Sequence, residues 1–144
     1  MFTPFPQGRD PMIVILMPGG AVQQVRNDEI LWYRQAFKVE WEGATMVMLA
    51  SGPIYSRESE SDLAAKFTSA GVRLVTVTPP DADIRMTVNA DTVRQVNDAS
   101  SGIFGPNARS LLVFFGGPHL AIKEAPEEIR QKLGLPAMGP TMSA

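Results

Sequence analysis

The chain has 144 residues, 44% of them hydrophobic and 19% charged, with a formal net charge of −2. That composition is globular and far from the weakly hydrophobic, highly charged regime of disorder. So small a net charge gives no general attraction to nucleic acid or to an anionic membrane, and neither is expected as a partner. The absence of Cys excludes disulfides, thiolate metal sites and thiol catalysis together.

No run approaches the roughly 18 apolar residues that span a bilayer. The longest, "MIVILM" (Met12 to Met17), has the length of a strand. The start "MFTPFPQGRD" lacks a basic segment followed by an apolar one, so the expected location is the cytoplasm, or a virion assembled there.

"MIVILMP" reads as a strand closed by the turn Pro18-Gly19-Gly20. "AVQQVRNDEILWYRQAF" fits either a helix after Asn27-Asp28 or a bent strand. "ATMVMLASGPIYSRES" reads as two strands around Ser51-Gly52-Pro53, glycine supplying permissive backbone angles and proline fixing the exit. A short helix follows, with Ser59 as its N-cap, Asp62 in its first turn, and Leu63, Ala64 and Phe67 at helical spacing. Gly71 ends it.

The second half repeats this order. "VRLVTVTP" is a strand, Pro80 to Asp83 a turn, and "IRMTVNADTVRQV" a strand interrupted at Asn89-Ala90-Asp91. "ARSLLVFFGGPHLAIKEA" is a second hairpin. Pro126 takes the first position of a second helix, Glu127 and Glu128 favour its dipole, and Gly134 stops it.

The two halves correspond residue by residue. Val25, Asp28 and Ile30 match Val88, Asp91 and Val93. Thr45, Val47, Leu49, Gly52 and Pro53 match Ser110, Leu112, Phe114, Gly117 and Pro118. Arg57-Glu58 match Lys123-Glu124, Leu63 matches Ile129, and Lys66 matches Lys132. Strand, turn, strand, hairpin and capped helix in one order, twice, point to internal duplication. The symmetry resolves the ambiguous segment as a long strand bent at Arg26-Asn27-Asp28.

The expected fold is mostly β with short helices (α+β), built as two tandem β-β-β-β-α units forming a pseudo-dimer. Residues 12–71 make the first unit and 72–134 the second, with extended arms at 1–11 and 135–144. Neither unit is large enough to bury much apolar surface alone, so a shared core is expected.

On these segments the half-repeat resembles the FlbD/SwrD-type flagellar and swarming-motility proteins. The first copy carries the resemblance in "MIVILMPGG", "RNDEI", "SGPIYSRES" and "ESDL". The second carries it in "VNADTV", "GGPHLAIKEA" and "PEEI". The resemblance implies a non-enzymatic β-rich adaptor that works by contact with larger machinery. The family pattern is a single copy, whereas this chain holds two.

No catalytic, cofactor or metal site is legible, and the protein is expected to be no enzyme. His119, the one histidine, follows Pro118 at a hairpin tip, and the sequence does not identify the residue that a general base would need to orient it. One His without Cys leaves only carboxylates as metal ligands, and turn chemistry accounts for Asp81 and Asp83. "PGG" lacks the Lys and Ser/Thr of a phosphate loop. Ser51, Ser56, Ser59 and Ser61 have no base by motif. Glu58 and Glu124 are expected at helix entries, where the dipole favours them.

Trp32, Tyr33, Phe37 and Trp41 cluster in the first copy where the second has Gln95, Val96 and small or polar residues. They read as core, or as an aromatic patch for a protein partner. Phe2, Phe5, Leu135 and Met138 sit in the Pro- and Gly-rich arms, which suit clasping of neighbouring subunits. The leading expectation is therefore a structural protein of a larger assembly, most specifically a cement protein decorating a phage-like particle and self-associating through its termini. It would need no cofactor, nucleic acid, membrane or small-molecule substrate. The alternatives are a flagellar-motor-type adaptor and a thioredoxin-like α/β protein, the latter with a helix at "NDEILWYRQAF" and some activity other than thiol exchange.

Overall fold

The computed structural model describes residues 12–81, 84–99, 103 and 105–135. Phe2, Phe5 and Met138, and the arms that carry them, lie outside the described residues; Leu135 lies within them. The first half runs β1 (Met12–Leu16), β2 (Val22–Arg26), a 3-10 turn at Asn27–Glu29, β3 (Ile30–Gln35), a one-turn helix α1 (Lys38–Trp41), β4 (Thr45–Leu49), β5 (Gly52–Ser56) and α2 (Glu60–Ser69). The second runs β6 (Leu74–Val77), β7 (Met86–Asn89), a 3-10 turn at Ala90–Thr92, β8 (Val93–Asp98), β9 (Ser110–Phe114), β10 (His119–Ile122) and α3 (Pro126–Leu133).

The protein is mostly β with short helices, and the order of elements repeats. Among the described residues each unit has five strands where four were expected, because the bent strand breaks at its bend. In the first unit the Glu29 carboxylate accepts the Arg26 amide at 2.6 Å and folds the chain into a 3-10 turn. The helix that a thioredoxin-like arrangement requires at "NDEILWYRQAF" is absent. That segment is the 3-10 turn followed by β3, and all strand pairings are antiparallel.

The strands form three sheets: β1-β2, the central β5-β4-β3-β7-β6, and β10-β9-β8. The central sheet is a joint product of the two units. β7 lies antiparallel to β3, pairing Trp32 with Val88, Tyr33 with Thr87 and Arg34 with Met86. Its two faces serve two cores. Ile30, Tyr33, Val47 and Leu49 join Ile13, Ile15 and Val25 of the β1-β2 hairpin and Leu63 and Phe67 of α2. Leu31, Trp32, Met46, Val77, Met86 and Val88 join Val93, Val96, Leu112, Phe114 and Ile122 of the three-stranded sheet and Ile129 and Leu133 of α3. The single shared core expected from the sequence is thus two cores with one sheet between them.

Strand periodicity explains the division, since successive side chains point to opposite faces. On β4, Met46 and Met48 go one way, Val47 and Leu49 the other. On β3 the register slips between Ile30 and Trp32, which puts Leu31 and Trp32 into the same core. The same slip recurs in the second unit between Val93 and Gln95.

A hydrogen-bonded clamp also occurs twice. The Glu58 carboxylate accepts the Leu16 amide at 3.0 Å, the Arg57 amide donates to the Leu16 carbonyl at 3.0 Å, and the Thr45 hydroxyl donates to the Glu58 carbonyl at 2.8 Å. In the second unit Glu124 accepts the Thr78 amide at 3.0 Å, Lys123 donates to the Thr78 carbonyl at 2.8 Å, and the Ser110 hydroxyl donates to the Glu124 carbonyl at 2.5 Å. Each clamp fastens the first strand of its unit to the junction between last strand and helix. Glu58 and Glu124 therefore do more than favour a helix dipole: each closes a loop across its unit.

The helices begin and end as read. Ser59 caps α2 by accepting the Asp62 amide at 3.1 Å, and Pro126 opens α3. Gly134 ends α3 with φ of 75°, a left-handed conformation that favours glycine.

Phe67 in the first core and Leu133 in the second are both fully buried. Phe67→Ala should cost about 3–5 kcal/mol and Leu133→Ala about 2–5 kcal/mol. Because β3 and β7 share a sheet, urea unfolding followed by fluorescence and by circular dichroism should give one coincident transition for each variant. Two separated transitions would show that the units unfold independently.

Candidate functional site

Strand register divides the molecule into two ends of different chemistry. At one end lie the two 3-10 turns, Asn27–Glu29 and Ala90–Thr92. Asn89 is buried there and joins the units. Its side-chain amide donates to the Asn27 carbonyl at 2.8 Å and the Ile30 carbonyl at 2.9 Å, while its oxygen accepts the Asp91 amide at 3.1 Å. The acids of this end are paired, Asp28 with Arg26 at 3.2 Å and Asp91 with Arg73 at 2.8 Å. A cavity of about 350 Å³ opens beside them, lined by Asn27, Asp28, Val72, Asn89, Asp91, Thr92 and Phe115. Its polar lining is committed to bonds within the chain: Asn89 as above, and the Thr92 hydroxyl to the Asn89 carbonyl at 2.8 Å.

The opposite end gathers strand ends from both units. Across the central sheet, Ser56 pairs with Thr45, Thr45 with Gln35, Arg34 with Met86 and Met86 with Val77. The next residues outward are Arg57, Ala44, Ala36, Arg85 and Thr78. Lys123 bonds through its backbone to Thr78, and the Arg109 amide donates to the Ile122 carbonyl at 2.9 Å. Lys38 lies on α1, in the connector between β3 and β4. Lys38, Arg57, Arg85, Arg109 and Lys123 are all exposed, and none has an ion-pair partner among the described residues. Arg94, a further exposed arginine, sits at the β8 bulge near the other end. The duplicated clamps set two of these cations, Arg57 and Lys123, at equivalent positions.

The aromatic cluster of the first unit divides. Trp32 is 8% exposed and Tyr33 2%, and they point into different cores. Tyr33 makes an edge contact with Phe67 at 5.4 Å between ring centroids. Neither is available to a partner. Phe37 and Trp41, by contrast, are 40% and 50% exposed on the β3–β4 connector, and Val39 between them is 94% exposed. Leu135, half-buried, packs against the second core.

This connector is held by charge. Arg34, itself buried, donates through both terminal nitrogens to the Glu40 carboxylate at 2.8 and 3.0 Å. Glu40 Oε1 also accepts the Phe37 amide at 2.8 Å. The Arg34 guanidinium stacks over the Phe37 ring at 4.0 Å and lies 5.8 Å from the Trp32 ring. Trp41 rests on Tyr55 with ring centroids 6.0 Å apart. The Arg34 side chain, opposed in part by burial, holds the Glu40 pKa down at about 2.

No family model matches the chain, and no curated protein matches it. Among solved structures it is similar to the LytTr DNA-binding domain of a methyl-accepting/DNA response regulator from Bacillus cereus. The match has a TM-score of 0.51 at 12% identity and covers 86% of this chain and 97% of that one. The likeness is one of fold. It replaces the resemblance to the FlbD/SwrD-type flagellar family, which rested on short strand-and-turn motifs that many β-rich units share. It also overturns the expectation of a cement protein on a phage-like particle, together with the flagellar adaptor and the thioredoxin-like alternative. The exclusion of nucleic acid falls with them, since it was drawn from a net charge that ignores where the charges sit. Among the described residues no helix is long and apolar enough to cross a membrane, and no group of His, Asp and Glu is placed to hold a metal ion.

A depressed carboxylate pKa contributes stability above its unfolded value and loses it as pH falls through the folded one. Glu40→Gln should cost about 1.5–3 kcal/mol at pH 7, the range for hydrogen bonds to charged groups. The gap between wild type and variant should narrow from pH 4.5 and close near pH 2. Urea midpoints of both proteins across that range are the check, and a gap independent of pH would contradict the assignment.

Proposed function

We propose that the chain is a DNA-contacting domain that meets the duplex backbone with the end bearing Lys38, Arg57, Arg85, Arg109 and Lys123. The observation that carries this reading is the concentration of exposed, unpaired cations at one end of the strands. The cations at the other end are mostly spent on Asp28 and Asp91. The fold likeness to a domain that is itself DNA-binding supports it. A net charge of −2 is no obstacle, because a polyanion feels the local field within about a Debye length rather than the sum over the chain. The reading requires no catalytic group or cofactor, and it places the protein with DNA, in the cytoplasm.

Acids limit the contact. Glu60 and Asp62 stand in the first turn of α2, and Glu127 and Glu128 in that of α3, at the same end as the cations. They repel phosphate, as does the exposed Glu42 at the end of α1, so the duplex must keep to the cations and away from the helix starts.

Fluorescence anisotropy with a labelled duplex at several salt concentrations tests the reading. Contacts by all five cations would give a slope of log K against log salt near about −4.5, roughly 0.9 per neutralised phosphate. Arg85→Ala, Arg109→Ala and Lys123→Ala should each weaken binding to every sequence alike and lower the slope by about one. Glu127→Gln with Glu128→Gln should tighten it. A chain that binds no duplex at low salt, or whose binding ignores these arginines and this lysine, would end the proposal.

A further inference from the structure

In this reading the strand ends spend their charge on the phosphate backbone, a contact that selects no base pair. One feature at that end has a different character. The connector Phe37–Trp41 carries Val39 at its apex, 94% exposed, flanked by Phe37 and Trp41 at 40% and 50%. Exposed apolar side chains on a loop are ordinarily mobile and costly to order on binding. Here the ordering cost is already met within the fold. The Arg34–Glu40 pair fixes the turn by two charged hydrogen bonds, Glu40 ties the Phe37 amide, Arg34 stacks on Phe37, and Tyr55 backs Trp41. Arg34 is itself buried, which makes the anchor stiff. The result is a short, rigid, apolar projection beside Lys38 and on the end that bears the other unpaired cations.

Resting on the DNA-contacting reading, we propose that this projection is the element that reads sequence. Val39, with Phe37 and Trp41 beside it, enters a groove and makes apolar contact with base edges, thymine methyl groups above all, while the cations hold the backbone. The chemistry fits that division of labour. Phosphate contacts position a protein without selecting bases, and the thymine methyl is the apolar group that base edges present in the major groove. A β-branched side chain such as Val39 brings two methyl groups with little rotamer freedom to lose. Apolar side chains that meet base steps also account for preferences in which hydrogen bonds take no part. The equivalent connector of the second unit, between β8 and β9, has a single aromatic residue in its sequence, Phe104, and so lacks the aromatic pair of the first.

The test uses the whole chain as wild type, Val39→Ser and Trp41→Ala. Each is selected against a pool of random duplexes, and affinities are then measured for the enriched sequence and for an unselected one. Wild type should enrich a thymine-containing motif. Both variants should bind the unselected duplex within roughly twofold of wild type and with the same salt slope. On the enriched duplex they should lose at least roughly four- to fifteenfold, the scale of one or two buried methyl groups. Trp41 emission should be quenched by the duplex, read as the difference between wild type and Trp41→Phe, with buried Trp32 reporting an intact fold. Should Trp41→Ala fail to fold, Val39→Ser decides by itself, since a side chain so exposed supports nothing in the core. Variants that enrich the same motif at the same affinity would overturn the assignment and return the projection to some other partner. Wild type that binds duplex without preference would overturn it while leaving the backbone-contacting end intact. No duplex binding at all would remove both.

Discussion

The edge-to-edge pairing of β7 with β3 is the constraint from which the rest of the architecture follows. Three strands of the first unit make a narrow sheet, and two of the second widen it to five. Once widened, the sheet has a face for each core, and neither unit can withdraw without exposing the other's apolar side chains. Asn89 fixes the junction at one end by using its amide on two carbonyls of the opposite unit. A buried polar side chain of this kind specifies register, because any slip along β3 would leave its donors unpaired.

Position in the stack accounts for the asymmetry between the copies. Trp32 and Gln95 occupy equivalent places, each just past the strand bulge. Trp32 lies in the middle sheet and is covered by the second unit, while Gln95 lies in the outer sheet and meets water. A repeat at the end of a stack needs a polar outer face, and one in the middle does not. The aromatic excess of the first copy is thus partly a matter of coverage. Only what remains exposed, Phe37, Val39 and Trp41, calls for an explanation outside the fold.

The duplication made the order of elements legible, together with the capped start of α2 at Ser59, the Pro126 start of α3 and the Gly134 stop. These depend on residues close in sequence, where spacing carries the physics. The clamps were beyond that reach. Glu58 grips an amide in β1 and Glu124 one just after β6, and a carboxylate leaves no trace of so distant a partner in its neighbours. The one-turn α1 was equally hidden, being too short to persist on propensity and stabilised by Arg34 from the preceding strand. Charge was the largest misreading. A sum over the chain hides that the turn acids Asp28 and Asp91 are spent on Arg26 and Arg73, while the exposed cations at the opposite strand ends have no ion-pair partner among the described residues.

The clamp has a consequence for how such a chain can drift. Glu58 and Glu124 hold backbone amides, and an amide is the same group whatever side chain its residue bears. Leucine fills the gripped position in one unit and threonine in the other; the backbone bonds are the same, and the threonine hydroxyl adds one of its own to Glu124 at 3.0 Å. The first strand of each unit is therefore tied down by a contact that asks for no particular residue there. Only the gripping glutamate is bound to its identity, and the small hydroxyl residue beneath it, Thr45 or Ser110, to its chemistry. Two chains built on this unit could share almost no strand residues and still fasten those strands in the same way. Distant kin would then be recognised by a glutamate one step past a cation and a hydroxyl on the neighbouring strand, long after their apolar runs had ceased to look alike.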